Sequence, residues 1–158
     1  MNSPTPAGGR SVEARLDEIE SRTEIASLVA GFCEGLDRRD PERFGALWYE
    51  DAEFLAPGGR GNFYGLEQIR GVQVAIDTSW ARTFHLTTNL VIKFENPDRA
   101  TGRADCLAIA QSAADGRTTY IEATYFDIFE RRDGEWKIAS RTTERWFISA
   151  SFDLPPNA

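Results

Sequence analysis

One histidine, His85, is present in this chain of 158 residues. Imidazole changes charge near neutral pH, so a single histidine can take a proton from carbon and return it later. It does this well only with a partner. A carboxylate on one ring nitrogen fixes the tautomer and stabilises the imidazolium. Asp37 is the candidate. Val29, Cys33 and Asp37 are spaced by four in "LVAGFCEGLD", so the acid lies beside an apolar helix stripe. It also stands at the negative end of the helix dipole, where cations are favoured. The competing readings are a sheet histidine satisfied by a threonine, and a solvated Asp37 paired with Arg38 or Arg39 at a worth of about 1 kcal/mol at most. Asp40 is better explained as the cap of the next helix, which leaves Asp37 by elimination.

Two arginines, Arg141 and Arg145, fall on one strand face by period two. Either could hold a developing anion or a substrate carboxylate. For Arg145, surface pairing with Glu144 or Asp127 is the preferred reading; Arg141 is the candidate pocket residue. Asn89 shares the His85 face by simple alternation and could hydrogen-bond substrate. Most of the many aromatics belong to a core. Trp48, Phe54, Tyr64 and Tyr125 are expected to line a cavity. An apolar cavity with few polar groups suits a small hydrophobic cyclic or polycyclic substrate.

Other chemistries find no residues to carry them. Cys33 and Cys106 are isolated and read as small apolar side chains. With one histidine they form no zinc ligand set, so no metal is expected. No GxGxxG or P-loop occurs, so no nucleotide and no other cofactor is expected. The net charge of -7 argues against nucleic acid. No apolar run approaches a membrane span. The opening "MNSPTPAGGR" lacks the features of a secretory signal, and the expected location is the cytoplasm. Residues 1–12 read as a disordered tail, 13–150 as one domain and 151–158 as a second tail.

The elements that must position these residues follow from periodicity. Ile25, Leu28, Val29, Phe32 and Leu36 form one stripe of a first helix. Asp40, Pro41 and Glu42 open a short second helix with Phe44, Leu47 and Trp48 on one side. "AEFLA" reads as a brief strand ended by "PGGRG". "YGLEQIRGVQVAI" is a third helix. Four long strands follow, joined by short turns, which makes them antiparallel. Strands grouped after helices indicate an α+β fold, with the helices on one face of a curved sheet. Along "TFHLTTNLVIKFE", Phe84, Leu86, Thr88, Leu90, Ile92 and Phe94 alternate with His85, Thr87, Asn89, Val91 and Lys93. If His85 points inward, the more apolar face needs covering by another subunit, or a bulge re-aims the histidine.

With "FCEGLDRRDPERFGALWYEDAEF", "YGLEQI", "HLTTN" and "YFDIFERRDGEWKIASR", the chain resembles the SnoaL-like branch of the NTF2-like superfamily. The similarity spans about residues 15 to 147. It includes the pattern aromatic-x4-Asp-x2-Asp, here Phe32, Asp37 and Asp40. The resemblance implies a cone-shaped α+β barrel, forming a homodimer or homotrimer across the open sheet face. Lyases of that superfamily, a dehydrochlorinase and two dehydratases among them, use an Asp–His pair at places matching Asp37 and His85, and some add a last-strand arginine that Arg141 or Arg145 would match. One of the dehydratases has a tyrosine where this chain has Phe32. The implied activity is a cofactor-independent lyase or isomerase, foremost a dehydratase. The other reading is a non-catalytic small-ligand binder or the accessory subunit of a ring-hydroxylating oxygenase.

Overall fold

The computed structural model describes residues 10–153. Helix α1 (Val12–Asp37) starts where the Ser11 hydroxyl accepts the Ala14 N–H, so it takes up the last residue of the expected tail; the rest of that tail lies almost wholly outside the described residues. Helix α2 (Pro41–Ala46) begins as its sequence requires: the Asp40 carboxylate accepts the Arg43 N–H at 2.9 Å and Pro41 holds the first turn. Trp48, expected in α2, instead opens strand β1 (Trp48–Ala56). After β1 the chain turns through Gly58 and Gly59, with φ of 80° and 81°, values that a side chain would oppose. It then adds a short strand, β2 (Gly61–Tyr64), which the sequence did not announce. Helix α3 (Leu66–Ser79) and strands β3 (Trp80–Asn96), β4 (Arg99–Ser112), β5 (Thr118–Arg132) and β6 (Glu135–Ile148) follow.

All six strands form one sheet in the order β2-β1-β6-β5-β4-β3. The four long strands run antiparallel, as their turns require. Among the described residues the β1–β6 pairing is the one parallel contact. The fold is therefore α+β, three helices with a mixed, mostly antiparallel sheet. The α1 stripe of Ile25, Val29, Phe32 and Leu36 is buried against the inner sheet face with Phe44, Trp48, Phe129 and Ile138. At its other end α1 is tied to β6 by the Trp136 indole N–H, which donates to the Ser21 hydroxyl at 3.1 Å. Part of the expected C-terminal tail is docked: Phe152 and Thr118 exchange backbone hydrogen bonds of 2.8 and 2.9 Å.

Strand β3 does not alternate uniformly. Thr88 pairs with Asp105 and Val91 with Arg103, so β3 spends one residue more than β4 between these points. That bulge contains Asn89, at φ 54°, in the left-handed region that asparagine tolerates better than most side chains. Before it, Thr83, His85 and Thr87 face inward; after it, Leu90, Ile92 and Phe94 do. The bulge thus lets one strand give its histidine to the interior and its later apolar residues to the core. Phe84 and Leu86 remain on the outer face, more than half exposed.

Candidate active site

Two elements bring the pair together. Gly35 lets α1 and α2 approach closely: a Cβ there would lie 3.0 Å from Phe44 Cβ and 3.1 Å from its Cα. Its carbonyl accepts the Asp40 N–H at 2.9 Å and the Gln73 amide at 3.2 Å. Arg39, at φ 55°, then turns the chain out of α1. Its guanidinium donates to the carbonyls of Asp77, Trp80 and Ala81. The end of α1 is thereby fastened to the start of β3, the strand that carries His85.

Asp37 gathers three donors. His85 Nδ1 lies 2.6 Å from Asp37 Oδ1, the His85 backbone N–H donates to Oδ2 at 2.7 Å, and the Thr83 hydroxyl donates to Oδ1 at 2.9 Å. Burial opposes the charged carboxylate; the His85 hydrogen bonds and the Thr83 hydroxyl together outweigh it and hold the Asp37 pKa below its ordinary 3.8. An ionised Asp37 makes Nδ1 the protonated nitrogen and leaves Nε2 as the basic one. Nε2 has no hydrogen bond within the protein among the described residues.

His85 stands in a wall between two spaces. Outside it, a cleft of about 550 Å³ between α1 and β3 is lined by Asp37, Thr83 and Arg82. Inside it lies a cavity of about 450 Å³. Phe54, Phe63, Ile76, Ile121 and Tyr125 supply much of its apolar surface, and among the described residues no Asp or Glu lines it. Among the described residues no three His, Cys, Asp or Glu side chains come together as a metal ligand set would.

The structure sorts the expected lining residues. Phe54 and Tyr125 line the cavity. Trp48 does not; it sits on the same β1 face as Phe54 but at the end closed by Phe44, and is 2% exposed. Tyr64 is paired with the exposed Glu53 and points away from the interior; its neighbour Phe63, opposite Phe54, lines the cavity instead. Asn89 is carried to the outer face by the bulge, where its amide donates to Asp105 at 2.9 Å.

The two arginines take different places. Arg141 is wholly buried and donates through Nε and Nη2 to Asp127 at 2.6 and 2.8 Å. Its guanidinium lies between the rings of Phe32 and Tyr125, 4.2 and 4.3 Å from their centres. It therefore backs two rings of the cavity and is not itself a lining residue. Arg145 is exposed, as expected of a surface arginine, yet it also lines the cavity, and so does the half-buried Arg60.

Several lining residues escaped the sequence, among them Thr83, Cys106 and Arg60. Thr83 could have been found, two residues before His85 on the same face. Cys106 is brought in only by strand register, opposite Thr87; it accepts a hydrogen bond from the Tyr125 hydroxyl at 3.1 Å. A hydrogen bond from the Cys33 thiol lowers the Cys106 pKa against the effect of burial, and Tyr125 assists. Arg60 was hidden in a segment that reads only as a turn.

The SnoaL-like domain family matches residues 17–142 of the chain. Hexachlorocyclohexane dehydrochlorinase 1 of Sphingobium indicum is 32% identical over 127 residues, which are 78% of this chain and 80% of that protein. Gamma-hexachlorocyclohexane dehydrochlorinase of the same species is 30% identical over 129 residues, covering 80% and 81% respectively. A solved structure of a type 2 hexachlorocyclohexane dehydrochlorinase superposes with a TM-score of 0.84 at 27% identity, over 91% of this chain and 99% of that one.

Proposed function

The chain belongs to the SnoaL-like domain family, and from that premise we propose that it is a cofactor-independent lyase acting on a small hydrophobic cyclic substrate. The observation that carries this reading is the 2.6 Å contact of His85 with Asp37 in the wall of an apolar cavity. His85 Nε2 removes a proton from a ring carbon. The C–H electron pair becomes the new double bond, and the leaving group departs from the adjacent carbon with its own pair. Asp37 holds the imidazole and stabilises the imidazolium that forms. Such general base catalysis supplies about 10²–10⁴-fold, and fixing the ring against the aromatic walls supplies more.

The leaving group can be narrowed. Among the described residues no carboxyl group lines the cavity, no second histidine exists in the chain, and the Tyr125 hydroxyl is engaged by Cys106. Hydroxide leaves poorly unless protonated, so dehydration needs His85 to return its proton to the departing oxygen. An anion stable in water, such as chloride, needs no such help, and this agrees with the names of the relatives. Double-bond migration uses the same histidine to return the proton to carbon. The other reading, a non-catalytic ligand binder or an oxygenase accessory subunit, needs no dyad beside a cavity and is supported less. Self-association through the outer sheet face as a homodimer or homotrimer completes the proposal.

The test is elimination from chlorinated and from hydroxylated cyclohexanes, followed as chloride release or alkene absorbance. His85→Ala and Asp37→Asn are each expected to lower turnover at least about 10²-fold with the fold retained. Turnover near that of the wild type in either variant would sink the reading.

A further inference from the structure

The cavity that His85 faces carries two guanidinium groups, from Arg60 and Arg145, and among the described residues no carboxylate lines it to balance them. Among the described residues neither arginine forms a salt bridge, whereas Arg99, Arg131 and Arg132 each pair with acids. Arg60 is tethered only to neutral acceptors: Nε donates to the Pro57 carbonyl at 3.1 Å, and Nη2 to the Thr143 carbonyl. Arg145 stands opposite Ala123 on the inner face of β6 and makes no side-chain hydrogen bond among the described residues. Burial, and then the charge of Arg145, push the Arg60 pKa down, so the two cations are near enough to repel. Thr143, whose carbonyl accepts from Arg60 and which precedes Arg145 by two residues on β6, also lines the cavity, and among the described residues its buried hydroxyl has no hydrogen-bond partner. Glu144 borders the same corner from outside, but it faces Thr124 on the outer side of the β5–β6 pair and bridges neither arginine.

Two like charges beside an apolar cavity destabilise each other until an anion joins them, and the half-burial of Arg60 strengthens that anion's hold. A carboxylate is the matching group, since its two oxygens accept the parallel N–H donors of a guanidinium. We propose that the substrate is a cyclic carboxylic acid whose carboxylate is bound by Arg60, Thr143 and Arg145 while its apolar ring extends toward His85. This rests on the lyase reading, which places the reacting carbon at His85. Arg60 and Arg145 are specificity residues in this scheme and take no part in moving the proton.

The experiment is calorimetric titration of the full chain with 2-naphthoate and with its neutral counterpart 2-naphthamide. In the wild type the naphthoate binds about tenfold tighter or more, the scale of a charged hydrogen bond. Arg145→Gln brings that ratio close to one by weakening naphthoate alone; Arg145→Lys restores part of it. Arg60→Gln acts likewise, with naphthamide binding as the check that the 57–60 turn still closes the cavity. A wild-type ratio near one, binding of neither probe, or an unchanged ratio in Arg145→Gln overturns the proposal. His85→Ala keeps the ratio, so an inactive dyad and a missing carboxylate subsite give separate results.

Discussion

At the scale of single residues, two carboxylate contacts of the interior serve different ends. The Asp37–His85 contact lies beside open space, and among the described residues Nε2 has no hydrogen bond. The Arg141–Asp127 contact is sealed, and both partners are spent on each other and on the rings of Phe32 and Tyr125. Removing one member of a buried pair strands the other charge, at about 3–5 kcal/mol. Arg141→Met is therefore expected to lower stability in urea by that amount, and Arg141→Met with Asp127→Leu to recover most of it. Full recovery of stability without recovery of turnover would mark Arg141 as more than a support for the cavity rings; equal stability of the single variant and the wild type would contradict the account of the pair.

At the scale of elements, the bulge in β3 decides what the strand does. Strict alternation would put His85 and Phe94 on opposite faces, and one residue added at Asn89 puts both inside. The left-handed φ of that residue costs a β-branched side chain about 1–2 kcal/mol, and asparagine offsets this with its bond to Asp105. Asn89→Val should therefore destabilise by about that much in chemical denaturation, and Asn89→Gly by clearly less. If the valine variant is as stable as wild type, the bulge is not held by this residue. Arg39 does comparable work between elements, since its three carbonyl contacts fasten the end of α1 to the start of β3.

At the scale of the whole molecule, the bulge has a consequence on the outside. Phe84 stands opposite Ile109, and Ile109 opposite Tyr120; Leu86 stands opposite Leu107. These rows form an apolar outer surface, with Phe84 57% and Leu86 53% exposed. Soluble monomers seldom present contiguous apolar patches of any size, and a second copy is a natural cover. Light scattering after size exclusion is expected to give a dimer or trimer for the wild type and a monomer for Phe84→Glu with Leu86→Lys. A monomeric wild type at tens of micromolar would refute self-association through this face.

From the sequence alone, periodicity disclosed the helices, the four long strands and the α+β class, because burial of one face imposes a period of 3.6 or 2 on the chain. The Asp37–His85 pair was also legible, since an acid at a helix C-terminus and a lone histidine in a strand both sit badly with their local surroundings. Tertiary structure decided the rest. The face of His85 depends on a one-residue bulge that leaves the hydrophobic pattern ambiguous. The places of Arg141 and Arg145 depend on Asp127 standing directly opposite the first and Ala123 opposite the second. Arg60 and Thr143 became site residues only when the 57–60 turn and β6 met β3 around one cavity. Local pattern records what a residue must bury, and only the folded chain sets which neighbour meets its charge.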